Sequence, residues 1–97
     1  MPTYVNLINF TGHGVERFRD TVSRAKEYHA TIERAGGKLR GQFWTMGPYD
    51  VIVLFDAPDD ETATMLALDL SSDGNVRTTT LRAFDESSME QIIARAA

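Results

Sequence analysis

Thr3 to Phe10 is rich in β-branched and aromatic residues and stops at the breaker cluster Thr11-Gly12-His13-Gly14, which predicts a first strand. From Val15 onward, Val15, Phe18, Val22, Ala25, His29 and Ile32 recur at intervals of three and four residues until Gly36-Gly37. That is the spacing of one face of a long amphipathic helix, which places His29 on the apolar stripe as a neutral, hydrogen-bonded core residue; a slight rotation of the stripe would instead turn Tyr28 inward and His29 outward. Leu39 to Thr45 and Tyr49 to Asp56 read as strands joined by Met46-Gly47-Pro48, a tight reversal, and so form a hairpin. Pro58 then precedes Asp59-Asp60-Glu61, three carboxylates placed where the first turn of a helix has unpaired N–H groups. This second helix runs to about Leu70, with Ala63, Leu66, Ala67 and Leu70 on one side and Met65 and Leu68 on another. A helix with one wet face needs less apolar surface than that, so part of it is expected to meet another subunit. Ser71-Ser72-Asp73-Gly74 breaks the chain, Asn75 to Phe84 returns as a strand, and Ser87 to Ala97 forms a last helix opened by Ser87 and Glu90.

This order, strand-helix-strand-strand-helix-strand plus a C-terminal helix, predicts an α+β fold: a ferredoxin-like sandwich in a single domain spanning residues 1–97. Its four strands lie in one antiparallel sheet of order 4-1-3-2, with the helices on one face. Pairing the hairpin symmetrically about its turn sets Trp44 opposite Asp50, Gln42 opposite Ile52, Arg40 opposite Leu54 and Lys38 opposite Asp56. Those even-numbered positions would share the open face with Tyr4, Asn6, Ile8 and Phe10 of the first strand and Thr78, Thr80 and Arg82 of the last. Leu39, Phe43, Val51, Val53 and Phe55 would then form the helix-covered core. An open face bearing Tyr, Trp, Ile and Phe is too apolar to stand in water, which predicts a homodimer or higher oligomer that buries it.

Composition narrows the partners further. Ten Lys and Arg against 14 Asp and Glu give a net charge of −4, and the basic residues are scattered. That pattern offers no footprint for nucleic acid or an anionic membrane, including the RNA that some bare ferredoxin-like sheets bind. The absence of cysteine removes disulfides, thiolate ligands and thiol nucleophiles, and fits a reducing cytoplasm. No long apolar run predicts a membrane span, and the residues from Met1 to Ile8 do not read as a signal peptide. No metal or cofactor is expected.

Three blocks in order, Tyr4-Val5-Asn6-Leu7-Ile8-Asn9-Phe10-Thr11, Gly47-Pro48-Tyr49-Asp50-Val51-Ile52-Val53 and Gly74-Asn75-Val76-Arg77-Thr78-Thr79-Thr80-Leu81-Arg82-Ala83-Phe84, resemble the GYD domain family. The Gly36-Gly37 stop and the stretch from Phe55 to Glu61 are similar as well, so the resemblance covers nearly the whole chain. It implies a small bacterial or archaeal protein akin to the dimeric α+β barrels, in a family without established activity, cofactor or substrate. The family pattern has a proline early in the long helix. Here Thr21-Val22-Ser23 stands in that region, a departure expected to leave the helix straighter.

In this topology one end of the sheet collects Asn9, Thr11, His13, Trp44, Tyr49, Asp50, Asn75 and Arg77. Gly12 and His13 at a helix start, with Arg77 near, form a candidate anion site. The competing reading is that the glycines only shape the turn. Tyr4, Asn6, Trp44, Tyr49, Asp50 and Arg82 form a candidate ligand pocket, in which Asp50 beside the Trp44 ring is a possible general base and Tyr49 or Tyr4 a proton donor. Alternatively Asp50 accepts backbone N–H groups at the turn and Tyr49 packs inward. His29 and Glu33 are one helical turn apart, too few groups for a metal site. The functional reading is a homo-oligomeric module that is structural or binds a small molecule. Its alternative is a cofactor-free oxygenase or isomerase acting on a small aromatic or enolisable substrate between sheet faces.

Overall fold

The computed structural model describes residues 1–96. The elements are β1 (Thr3–Phe10), α1 (Gly12–Glu16), a 3-10 turn (Phe18–Asp20), α2 (Thr21–Arg34), β2 (Lys38–Trp44), β3 (Val51–Asp56), α3 (Asp60–Ser71), β4 (Val76–Ala83) and α4 (Glu86–Ala94). All strand pairs are antiparallel and the sheet order is β2-β3-β1-β4, the expected 4-1-3-2 read from its other edge. The α+β, ferredoxin-like architecture inferred from element order is the one observed. No helix is long and apolar enough to cross a membrane among the described residues.

The long first helix is not continuous. Thr11 caps α1 by accepting the Gly14 N–H at 3.1 Å. The Arg17 N–H then donates to the Gly14 carbonyl and the Asp20 N–H to the Arg17 carbonyl, three-residue closures that tighten the backbone into the 3-10 turn. The chain therefore breaks just ahead of Thr21 even without the proline, and the predicted straight helix is corrected. Val15, Phe18 and Val22 consequently leave the core stripe and are more than half exposed. In α2 the inward residues are Tyr28 and Ile32. His29, expected in the core, instead points out and meets Glu33 at 2.9 Å, because the stripe is rotated so that Tyr28 takes the inward position. Gly36 ends the helical segment at φ 86°, an angle that costs a residue without Cβ little.

The sheet faces are where sequence and structure part. Tyr4 and Ile8 of β1 are buried with Val51, Val53 and Phe55 of β3 against Tyr28 and Ile32 of α2 and Ala63 and Leu66 of α3. Tyr4, Asn6, Ile8 and Phe10 thus face the helices, as do their β4 partners Arg82, Thr80, Thr78 and Val76. This reverses the open-face assignment of those positions. In β2 the register shifts between Leu39 and Gly41, so Trp44 pairs with Val51, Phe43 with Ile52 and Gln42 with Val53. Because the extra residue inverts side-chain parity beyond it, Trp44 and Gln42 move to the helix side. Phe43 moves from the predicted core to the bare side, where it is 59% exposed. Leu39, Val51, Val53 and Phe55 take their expected places on the covered side.

The bare face is accordingly more apolar than the predicted one. Val5 pairs with Leu54 and Leu81, Leu7 with Ile52 and Thr79, and Phe43 with Ile52, which gives a stripe across all four strands. No helix covers it. At one end Asp56 is buried and satisfied, accepting from Thr3 Oγ1 at 2.7 Å and Arg40 Nε at 2.9 Å.

Both later helices start on aspartate. Asp59 accepts the Thr62 N–H and hydroxyl at 2.8 and 2.6 Å to cap α3, and Asp85 accepts the Ser88 N–H at 2.8 Å to cap α4. Asp59 is thus the cap itself, one position ahead of the first turn, and α4 starts ahead of Ser87. No residue of α4 is buried, and Met89, Ile92 and Ile93 are exposed along it. The chain spans 51 Å in its longest direction with a radius of gyration of 14.5 Å. A compact domain of this length has a radius of gyration of about 12.5 Å.

Candidate functional site

At one end of the covered face, Tyr4 donates its hydroxyl to Asp60 Oδ1, and Arg82 Nη1 lies 3.4 Å from the same oxygen. The Arg82 guanidinium sits 5.7 Å from the Tyr4 ring centroid and 5.2 Å from that of Phe84. Burial first, and then the hydrogen bond to Asp60, pushes the Tyr4 phenol up to about 12. Tyr4 is therefore a neutral donor to a carboxylate.

The middle of the face is a closed polar pair. Asn6 is fully buried, donates from Nδ2 to the Tyr28 hydroxyl at 2.7 Å and accepts from Thr80 Oγ1 at 2.6 Å. Burial drives the Tyr28 phenol well above the usual tyrosine range, so it too stays neutral. With its partners in place, Asn6 is a satisfied core group.

At the other end Trp44 donates Nε1–H to Thr21 Oγ1 at 3.0 Å, and Tyr49 offers its carbonyl to the Thr45 hydroxyl. Asp50 Oδ2 accepts the Phe10 N–H at 2.8 Å. The candidate pocket residues are thus divided between the two ends of the sheet. Tyr4 and the Phe10–Asp50 contact are six residues apart on β1, about 20 Å at the rise of a strand.

The candidate anion residues sit on different elements. Gly12 and His13 are exposed on α1, while Arg77 lies opposite Asn9 on the bare sheet face. The start of α1 is held by Thr11, whose N–H donates to Asn75 O at 3.0 Å and whose hydroxyl donates to Gly74 O at 2.6 Å. Gly14 is required by packing, since a Cβ there would lie 1.9 Å from the Asn75 carbonyl oxygen. Among the described residues no group of three or more His, Asp or Glu side chains is placed to hold a metal ion.

What sequence reasoning missed is a cavity of about 160 Å³ between α1, α2, the end of α3 and the sheet. Ile8, Phe10 and Trp44 supply apolar lining, and Arg24, Gln42 and Asn75 supply polar lining. Asn75 is 1% exposed, yet neither atom of its carboxamide makes a hydrogen bond of normal geometry, its approach to the Asp73 carboxylate being too weak to count as one, and Arg24 Nη2 is buried without one. Asn75 and Trp44 were already placed at this end of the sheet by topology. Arg24 carried no local signal, because on α2 it reads as a solvated helix residue.

With the geometry in view, the family model described as the GYD domain matches residues 4–93. The chain belongs to the GYD family. This GYD protein is 36% identical over 84 residues to a Thermus thermophilus protein named "Glutamine synthetase and cystathionine beta-lyase binding protein", a match covering 86% of this chain and 88% of that one. It is also similar to the crystal structure of TTHA0845 from Thermus thermophilus, with a TM-score of 0.57 and 25% identity. That superposition covers 88% of this GYD chain and 95% of the other.

Proposed function

We propose that this GYD protein is a non-catalytic binding module that pairs with a second copy through its bare sheet face and offers the helical side to other molecules. The observation carrying this reading is the stripe of Val5, Leu7, Phe43, Ile52, Leu54 and Leu81 on the side of the sheet away from the helices, where Phe43 and Leu81 are exposed and the other four half-buried. Left in water, such a stripe forfeits the burial that the other side of the same sheet enjoys. The accessible surface, 6451 Å², supports it as well. A folded monomer of this size exposes about 5,500 Å², and the excess, about 900 Å², is close to what each partner of a standard interface buries.

A second copy of this chain fits the stripe because an isologous contact sets the same apolar surface against itself. The helical side then stays free, with Val15, Phe18 and Val22 exposed on one edge and Met65 and Leu68 on α3. That a relative carries the name of a protein that binds two enzymes is in keeping with a surface suited to partner proteins. A cofactor-free oxygenase or isomerase with Tyr4 as its acid would need Tyr4 near Asp50, and they stand about 20 Å apart by the rise of β1; the Asp50 carboxylate, beside Tyr49 in sequence, is engaged by the Phe10 N–H.

The deciding measurement is the molar mass by light scattering at micromolar concentration, for the parent and for Leu54→Lys. A dimer that Leu54→Lys converts to a folded monomer is expected. A monomeric parent overturns the reading, and so does a Leu54→Lys dimer of unchanged stability.

A further inference from the structure

The cavity on the helical side contains an electrostatic arrangement that neither the fold nor the bare sheet face requires. Asn75 is placed at the head of β4 by its backbone. Its N–H donates to Asp73 Oδ1 at 3.1 Å and its carbonyl accepts the Thr11 N–H at 3.0 Å. The side chain takes no part in either contact. A buried carboxamide without a hydrogen bond of normal geometry costs free energy comparable to a lost hydrogen bond, and leucine has the same branched shape without that cost. Arg24 Nη2 repeats the pattern, a buried donor that no protein acceptor meets. These three orphaned atoms belong to residues lining one cavity.

The charges around them have both signs. Arg17 and Arg24 bring two guanidinium groups, and Glu27, Asp69 and Asp73 bring three carboxylates. A simple anion would meet the repulsion of the carboxylates, and a simple cation that of the guanidinium groups. A molecule with both charges a few ångströms apart has a favourable site for each. The orphaned atoms have the same duality: Arg24 Nη2 and Asn75 Nδ2 are donors suited to a carboxylate, and Asn75 Oδ1 is an acceptor suited to an ammonium group. Beside them Ile8, Phe10 and Trp44 supply apolar lining. The size fits as well. A volume of about 160 Å³ lies below the range of about 300–1,000 Å³ typical of drug-sized ligands, which points to a small metabolite.

We propose that this cavity binds a free amino acid as its zwitterion, with the carboxylate on Arg24 and Asn75 Nδ2, the ammonium group on Asn75 Oδ1 within the field of Asp69 and Asp73, and the side chain against Ile8, Phe10 and Trp44. The site lies on the opposite side of the sheet from the proposed pairing face, so it stands or falls separately from the assembly.

The test is a thermal-shift screen of the full-length parent protein against the proteinogenic amino acids at millimolar concentration, followed by titration calorimetry of those that raise the melting temperature. For each, the matched amine lacking the carboxylate and the matched acid lacking the amino group are titrated alongside. With L-leucine these are isoamylamine and isocaproate. At least one amino acid is expected to bind, and both analogues to bind at least about tenfold more weakly. Asn75→Leu is expected to fold with at least parental stability and to weaken binding by a similar factor. Arg24→Met, a change on a partly exposed helix position, provides the same readout should Asn75→Leu fail to fold. The proposal is overturned if no amino acid shifts the melt, if an analogue lacking one charge binds as well as its parent compound, or if the folded variants bind like the wild type.

Discussion

Asp50 Oδ2 accepts the backbone N–H of Phe10 at 2.8 Å, while the Asp50 N–H donates to the Ile8 carbonyl at 2.9 Å. One residue just ahead of β3 thereby closes the end of β1, and the carboxylate serves the neighbouring strand where a contact within its own turn was expected. The Asp50→Ala variant leaves the Phe10 N–H without that acceptor and should lose roughly 1–3 kcal/mol of stability. Asp50→Asn keeps an acceptor oxygen in place and should lose less. Thermal unfolding of both checks this, and two variants that melt like the parent would remove the structural role.

Asn6 and Tyr28 form the central polar contact of the core, at 2.7 Å. Tyr28→Phe strands Asn6 Nδ2 in a fully buried position and is expected to cost roughly 1–3 kcal/mol. Asn6→Val removes the partner of both Tyr28 and Thr80. The two changes should be strongly non-additive, because each single change orphans what the double change removes. Denaturant unfolding of the four-member cycle measures the coupling. A coupling near zero would mean that the contact contributes nothing.

Gly12 and Gly14 sit two residues apart in α1 and have opposite surroundings. Space around a Cβ at Gly12 is open to 4 Å, whereas one at Gly14 would be driven into the Asn75 carbonyl. Gly12→Ala should change stability by less than about 0.5 kcal/mol, and Gly14→Ala should cost upwards of about 2 kcal/mol by forcing α1 away from β4. Equal melting temperatures for the two variants would contradict this packing.

Phe43 and Trp44 are adjacent but face opposite sides of the sheet. If a second copy covers the bare face, Phe43→Ala weakens assembly by roughly 2 kcal/mol as loss of an interfacial aromatic, and Trp44→Ala leaves it unchanged. Sedimentation over a dilution series separates the two. A Trp44→Ala defect with an intact Phe43→Ala dimer would place the interface on the helical side.

Acid and base act on different groups. Hydrogen bonds from Thr62 hold the Asp59 carboxyl below its ordinary range, and those from Ser88 do the same for Asp85. At Asp73 desolvation pushes the other way, but the Asn75 N–H, the nearby Asn75 carboxamide and the Arg24 and Arg17 charges together outweigh it. A carboxyl whose folded pKa is depressed contributes stability that is complete above its unfolded value of 3.8 and is lost as pH falls through the folded value. Tyr4 behaves in the opposite sense, since a phenol raised from 10.0 to about 12 keeps its proton better when folded. Its contribution is complete below pH 10.0 and disappears as pH rises toward about 12. Melting temperature against pH should therefore fall at both limits, with the alkaline fall shallower in Tyr4→Phe. Tyrosinate absorbance identifies the group, and an unchanged alkaline limb in that variant would exclude Tyr4 as its source.

Local chemistry decided most of the element boundaries. β1 occupies Thr3–Phe10 as read from the sequence, because β-branched and aromatic residues run unbroken up to a glycine-rich stop. Gly36, Gly47 and Gly74 all adopt positive φ at the breaks that composition marked. With the elements in order, the short antiparallel connections of a single sheet led to the observed strand order. The family resemblance, spread over the same blocks, was equally legible.

The sheet faces and the cavity were decided only by tertiary structure. β1 carries apolar residues on both sides, Tyr4, Ile8 and Phe10 against Val5 and Leu7, so alternation alone offers no choice, and Asn6 looked like the residue that should meet water. Asn6 lies in the core because Tyr28 and Thr80, 22 and 74 residues away, satisfy its carboxamide there. No local pattern carries a contact of that range. Past the register shift at Arg40 the parity of β2 reverses, exchanging Phe43 for Trp44, and a shift of one residue leaves no mark in a strand of mixed composition. The burial of Arg24 Nη2 and of the Asn75 side chain likewise depends on how α1 and α2 lie across the end of the sheet. Patterns with periods of two and four residues fix elements, whereas the pairing of distant polar groups fixes which side of each element is inside.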